Sequence, residues 1–348
     1  MIRNLKSSRI ARLVLAGAVA SGVVSVPGML GAQDPYKVLD QWKLGGEGGW
    51  DYLLADSSAH RLYVTHGTRV EVIDSQTGKP VGAITGLHGT HGIALDDAGK
   101  LGYISDGGGN AVVVFDRASL ATVATIPVGK NPDGIVFEPA TKTVWTFNGR
   151  SNDASVVDAG SRAVVGTIAL PGKPEFPAVD GQGTVFVNIE DKNSIVRLDA
   201  KTKTLTATWP LGCESPSGLA FDVSGHRLFS VCDGKKMAVT DSLTGKSLAL
   251  PPIGDGPDAA GYSPSKGVAF ASCGEDVLTV INTADPSYAA IETLPTQKGA
   301  RTMTYDPGTD RIYLVTAEYG PRPAATAASP HPRPSIVPGS FSIIVVGR

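Results

Sequence analysis

Cysteine is scarce in this chain: three in 348 residues, none of them in a Cys-x-x-Cys-His arrangement. A disulfide-dense mini-scaffold and covalently attached haem are thereby excluded. Charge is also thin. Only 18% of residues are Asp, Glu, Lys or Arg, and nothing is rich enough in Glu, Lys or Ala to suggest a helical bundle. Basic residues do not outnumber acidic ones, 31 against 33, so a broad electrostatic grip on nucleic acid is not expected. No apolar run reaches the roughly 20 residues that a membrane-spanning helix needs. There is no Gly-x-Ser-x-Gly nucleophile elbow. The glycine-rich stretch 106–110 is followed by no Gly-Lys-Ser/Thr, which excludes a phosphate loop there.

What is abundant is turn chemistry: 42 Gly and 24 Pro point to many short strands joined by tight turns. The N-terminus reads differently. Arg3, Lys6, Arg9 and Arg12 precede an apolar, small-residue run over 13–26, which Pro27 and Gly28 break, and Leu30-Gly31-Ala32 offers a cleavage site. This is the pattern of a secretory signal peptide over residues 1–32. Its removal takes away four basic groups and no acids, leaving 27 basic and 33 acidic residues and a formal charge of −6. The expectation is an exported protein, periplasmic or secreted, with no membrane span and with nucleic acid disfavoured as a partner.

A repeat organises the remainder. Short strands ending in Asp or Asn occur at Val72-Ile73-Asp74, Val114-Phe115-Asp116, Val156-Val157-Asp158, Arg197-Leu198-Asp199, Val239-Thr240-Asp241 and Val280-Ile281-Asn282, at intervals of 42, 42, 41, 42 and 41. A seventh copy, Ile344-Val345-Val346-Gly347, arrives 65 residues later, after a proline-rich insertion over 317–340. A second register, Asp56, Asp96, Glu138, Asp180, Asp222, Ser263 and Asp306, closes a short apolar strand in each unit. A β-rich strand follows each turn, as in Leu62-Tyr63-Val64-Thr65 and Ile312-Tyr313-Leu314-Val315-Thr316. Four strands per unit make a sheet with two apolar faces, which is buried only by packing against copies of itself around an axis. The reading is an all-β, seven-bladed β-propeller of four-stranded blades occupying residues 33–348. The last unit lacks an outer strand, and residues 36–45 supply an orphan one, so the N-terminal strand is expected to complete blade seven.

The Leu-Tyr-Val-Thr strand at 62–65, with Ile-Tyr-Leu-Val-Thr at 312–316, Val-Phe-Val-Asn at 185–188, Pro-Asp-Gly-Ile at 132–135 and Pro-Ser-Gly-Leu at 216–219, resembles the YVTN repeat of the YncE-like β-propeller family. The resemblance covers residues 36–348. It implies an exported propeller that serves as a binding or scaffold protein. Related propellers include lactonases, the virginiamycin B lyase and redox subunits, so the fold alone selects no activity.

In a propeller, the segments leading into the inner strands and the loops between second and third strands surround the channel mouth. Five positions before each member of the second register stand Asp51, His91, Asp133, Glu175, Ser217, Asp258 and Arg301. These are the expected lining of a mouth that binds a small polar ligand or a protein partner. The alternative is a metal-assisted, lactonase-like hydrolase or lyase at the same mouth. There, His66, His88, His91 and Asp106 would hold a divalent metal ion as cofactor, and Asp51 or Asp133 would act as base. No complete nucleophile–base pair is visible, so no catalytic residue is assigned. Cys213 and Cys232 are the expected disulfide, leaving Cys273 free. The insertion is expected in extended polyproline conformation, with Arg322, His331 and Arg333 lying over the acidic ring.

Overall fold

The computed structural model describes residues 34–96, 98–324, 326, 332 and 334–348. The leader expected over 1–32, and His331 and Arg333 of the insertion, lie outside the described residues. Pro35–Arg348 forms one compact unit. It contains seven four-stranded antiparallel sheets and, among the described residues, no helix beyond the single 3-10 turn Glu190–Lys192. Among the described residues no helix is long and apolar enough to cross a membrane.

Six blades are meanders of consecutive strands. Blade 1, for example, runs Leu53–Asp56, Arg61–His66, Arg69–Asp74 and Pro80–Ile84. The inner strands of blades 2 to 6 are Thr90–Leu95, Pro132–Glu138, Pro174–Val179, Leu219–Asp222 and Pro257–Ser263. Blade 7 is composite. Thr302–Asp306, Arg311–Thr316 and Ser342–Gly347 are joined by the N-terminal strand Lys37–Lys43, which pairs antiparallel from Lys37 opposite Gly347 to Lys43 opposite Ser342. Trp42 of this strand packs on Tyr313, and Tyr36 packs edge-on against Phe270 of blade 6. The two exposed edges that a linear repeat would leave are thereby paired to each other.

Burial explains why the middle strands read as near-continuous apolar runs. Thr143–Asn148, Val268–Cys273 and Ser342–Gly347 are buried at every position, because each has a sheet on both faces. Outer strands alternate instead, as in Thr204–Pro210. The apolar interior is seven separate clusters, one at each blade–blade interface. Trp145 and Phe147 of blade 3 meet Val185 and Val187 of blade 4, and Leu62 and Val64 of blade 1 meet Tyr313 and Ile343 of blade 7. The cluster between blades 7 and 1 is what closes the ring.

The second register has a structural role on the face opposite the mouth. Asp56 is bridged to Arg117 of blade 2, and the Ser57 hydroxyl donates to Asp306 of blade 7. Asp222 is clasped by Arg227, whose guanidinium also donates to the Thr283 carbonyl of blade 6. The strand-ending Asp residues of the first register cap hairpin turns: Asp74 accepts from the Gln76 and Thr77 amides, and Asp241 from those of Leu243 and Thr244. They are turn-forming side chains, as expected of Asp at such positions.

Candidate functional site

Crowding at the axis builds the mouth. Near the axis, inner strands of neighbouring blades approach closely, and a Cβ on Gly134 would lie 2.4 Å from the Glu175 carbonyl of the next blade. One on Gly218 would lie 2.5 Å from Ala259. At these two positions glycine directly after the lining residue is required by space. Hydroxyl and amide side chains of the second strands, or of the inner strand itself, then tie several blades to the next. Asn188 donates to the Ser217 carbonyl (2.9 Å), Thr302 to that of Asp51 (2.9 Å), Ser105 to that of Asp133 and Ser272 to that of Arg301. In blades 2, 4 and 6 the polar residue of the second strand is thus a circumferential fastener.

Backbone irregularity aims the side chains. The pairing of inner with second strand slips between Thr90 and Ile93, Pro132 and Ile135, Pro174 and Pro177, and Pro257 and Ala259. His91, Asp133, Glu175 and Asp258 each sit inside one of these bulges. A bulge re-aims a side chain that regular pleating would place on a sheet face.

Four blades carry a residue other than glycine after the lining residue: Ala259 follows Asp258, Thr302 follows Arg301, and in the other two the residue is aromatic. The positions after Asp51 and Glu175 hold Tyr52 and Phe176, and these residues of blades 1 and 4 meet with ring centroids 4.6 Å apart. Tyr52 is buried, and its phenol is raised well above its ordinary value by that burial and by the nearby carboxylates of Asp258 and Asp51. Because blades 1 and 4 stand across the ring from each other, the pair forms a plug over the axial channel.

Around this plug the charges are paired but not balanced. His91 Nδ1 lies 2.6 Å from Asp51 Oδ2 and 3.8 Å from Asp133 Oδ1. Lys173 bridges Glu175 (2.6 Å) and Glu190, and Arg301 binds Asp258. Five carboxylates thus face three cations. Burial is the main cause that pushes Asp133 up to about 6, helped by Asp51 and opposed by His91. Glu175 is pushed up to about 8 by burial and then by Asp133, against the pull of Lys173. Asp258 is pushed up to about 7 by burial, with Arg301 opposing. Burial alone would lower the His91 imidazole, but the Asp51 hydrogen bond and the charge of Asp133 overcome it and raise it to about 9. The site holds carboxyls that give up protons near neutrality. A cation arriving there would draw those protons off.

The sequence-derived ring is brought together around this axis, with one difference in character. Ser217 directs its hydroxyl to the Pro257 carbonyl (3.2 Å) and serves a structural contact. The proposed metal set does not assemble. His66 is fully buried, stacked on Phe341 at 4.0 Å, and its Nδ1 faces Arg69 (3.1 Å) and Glu71 (3.5 Å). His88 and Asp106 pair with each other instead, ring nitrogen to carboxylate at 3.0 Å, and the same carboxylate accepts the His88 amide. His91 belongs to a different group, Asp51–His91–Asp133, which is the set among the described residues whose ligand atoms lie within 4.8 Å of one another. The error has a simple cause: loops that share a face need not share a point.

The sulfurs of Cys213 and Cys232 are joined, with Cα atoms 6.0 Å apart, linking the segment that leads into blade 5 to that blade's second strand. Cys273 is buried, and burial raises its thiol to about 12, which suits packing rather than nucleophilic attack. In the insertion, Tyr319 bridges to Ile336, the Gly320 amide donates to the Ser335 carbonyl (2.8 Å), and that of Val337 to the Glu318 carbonyl (2.8 Å). Its base is therefore a paired ribbon and not an isolated polyproline segment. Lys173, Glu190 and the Tyr52–Phe176 plug were absent from the sequence reading. The aromatic residues at positions that are glycine in blades 2, 3 and 5 were the available signal for the plug.

Comparison with solved structures defines the class: the protein is a seven-bladed β-propeller. The crystal structure of RRP9 WD40 repeats matches with a TM-score of 0.74 at 10% identity over 89% of this chain and 97% of that one. The structure of U3-55K gives 0.72, also at 10% identity, over 89% and 98%. Hydrazine synthase of Kuenenia stuttgartiensis gives 0.68 at 16% identity over 77% and 92%. At these identities the likeness is one of fold. No family model matches the chain, and no curated protein matches it.

Proposed function

We propose that this chain is an exported, YncE-like binding protein whose mouth receives a small, positively charged ligand above the Tyr52–Phe176 plug. The observation that carries this reading is the charge arrangement: five carboxylates converge with three cations, and three of the carboxyls hold protons above their ordinary range. Such a site gains negative charge as a cation enters, because the cation stabilises the ionised carboxyls. Binding rather than turnover is favoured, since Ser217 is committed to a backbone carbonyl and the Cys273 thiol is buried. The hydrolase or lyase reading is less favoured, because His66 faces Arg69 and Glu71 and His88 pairs with Asp106 and does not join His91.

Export is supported by the leader-like residues 1–32 and by the Cys213–Cys232 disulfide, a bond that persists in oxidising compartments. Membership of the YncE-like group is supported by the YVTN-type strands. The test is calorimetric titration with Ca²⁺, Mg²⁺, Mn²⁺, Zn²⁺ and a diamine between pH 6 and 8, in buffers of differing ionisation enthalpy. Binding should release protons, strengthen with pH and weaken at least tenfold in Asp133→Asn. A ring that takes none of these cations at pH 8, or binds them with no proton release, would refute the reading. N-terminal sequencing of protein recovered from the exported fraction should find the chain starting at Gln33.

A further inference from the structure

A second concavity lies beside the ring, between the insertion ribbon and the mouth-side segments of blades 6, 7 and 1, with a volume of about 910 Å³. That is within the range of small-molecule sites. Glycine makes the space. Gly49, Gly256, Gly274, Gly299 and Gly320 all line it, and around Gly49 a Cβ would meet nothing within 4 Å. At Gly299, with φ of +83°, a Cβ would lie 2.4 Å from the Tyr319 hydroxyl, so the glycine is what lets this ring seat against the wall.

Two aromatic side chains form one side. Trp50 and Tyr319 have centroids 6.2 Å apart, and Trp50 is backed by Phe341 at 5.6 Å. The charged lining is basic: Lys298, Arg301 and Arg322 against Glu318. Arg301 is already bound to Asp258, so among the described residues the group carries one positive charge in excess. This is the reverse of the acidic ring it adjoins.

We infer that this cleft is a separate binding site for a small monoanion carried on a ring, the chemistry shared by sugar acids and aromatic carboxylates. The aromatic wall takes the flat face of the ring, and Lys298 and Arg322 receive the carboxylate. A single excess positive charge matches a monoanion better than a phosphate dianion. The cleft shares Arg301 with the ring, but Asp51, Asp133 and Glu175 do not line it, so substitutions at those carboxyls and at Lys298 and Arg322 read the two sites separately.

The test is calorimetry and thermal shift on the full folded chain with glucuronate, benzoate, glucose and inorganic phosphate. At least one of the two ring acids should bind saturably, and glucose and phosphate at least tenfold more weakly. Which acid binds distinguishes a sugar ligand from an aromatic one. The double substitution Lys298→Gln with Arg322→Gln changes two exposed side chains, so folding is retained, and it should weaken the acid at least tenfold. Tyr319→Leu should weaken it while leaving the response to salt unchanged. The inference is overturned if neither acid binds, if glucose or phosphate binds as tightly, or if the double variant keeps full affinity. Asp133→Asn should leave acid binding intact, so a failure at the ring and a failure at the cleft are read separately.

Discussion

Replacing Glu175 by Gln should stabilise the protein at alkaline pH and leave it unchanged at acid pH. Glu175 is about nine-tenths buried, beside Asp133 and held by Lys173. A carboxyl whose native pKa lies above its unfolded value keeps its proton in the native state after the unfolded chain has lost it. Stability therefore falls as pH rises between the two, from about 4.5 to about 8 for this group. Movement of that size penalises the ionised native form by about 5 kcal/mol. Asp133 shares the repulsion, and Lys173 still has Glu190, so about 2 kcal/mol is expected to be recovered by the substitution at pH 9. Gln has the shape of protonated Glu and keeps an oxygen for Lys173 to donate to. At pH 5 the two proteins should therefore agree within about 0.5 kcal/mol. Urea unfolding at pH 5, 7 and 9 measures this directly, and at pH 9 the melting temperature should rise by about 3 °C. The wild type should itself lose stability from pH 6 to 9. Asp258 adds in the same direction up to about 7, and the His91 contribution, complete below 6.5, disappears through about 9. If Glu175→Gln destabilises at pH 9, or shifts stability equally at pH 5 and 9, the claim of proton-holding carboxyls at the mouth is wrong.

Changing both Cys213 and Cys232 to Ser opens a loop of sequence separation 19 and should cost about 3 kcal/mol, read as a lower urea midpoint that added reductant no longer changes. Deleting residues 34–43 removes the strand that closes blade 7, with the Tyr36 and Trp42 packing. Stability should drop by more than about 5 kcal/mol, and light scattering should show aggregation through the bared Ser342–Gly347 edge. Gly78→Ala should cost about 1–3 kcal/mol by thermal melting, since Gly78 has φ of +70° and a Cβ there would meet the Trp42 ring at 2.4 Å.

Particular residues show where sequence reading succeeds and where it stops. The 42-residue period and the missing outer strand of the last unit sufficed to specify seven blades and the N-terminal closure, because strand pairing leaves a local pattern in every copy. The strand ends at Asp74 and Asp241 were legible from the repeat. That Gly78 and Gly245 lie under Trp42 and Trp209 was not, because each tryptophan comes from an outer strand of a neighbouring blade. The ring from Asp51 to Arg301 was found by register, since position within a repeat maps onto position around the axis.

What the chain alone determined, then, is everything that repeats: blade number, strand order and the position in each blade from which a side chain enters the inner strand. Only the tertiary structure decided the pairings that do not repeat. It placed His91 between Asp51 and Asp133, parted it from His66 and His88, brought Tyr52 to Phe176 across the channel and opened the cleft between Trp50, Tyr319 and the basic side chains. The physical reason is one of range. Periodicity reports the forces that each copy feels equally, whereas these contacts depend on side-chain reach of a few ångströms between blades distant in sequence.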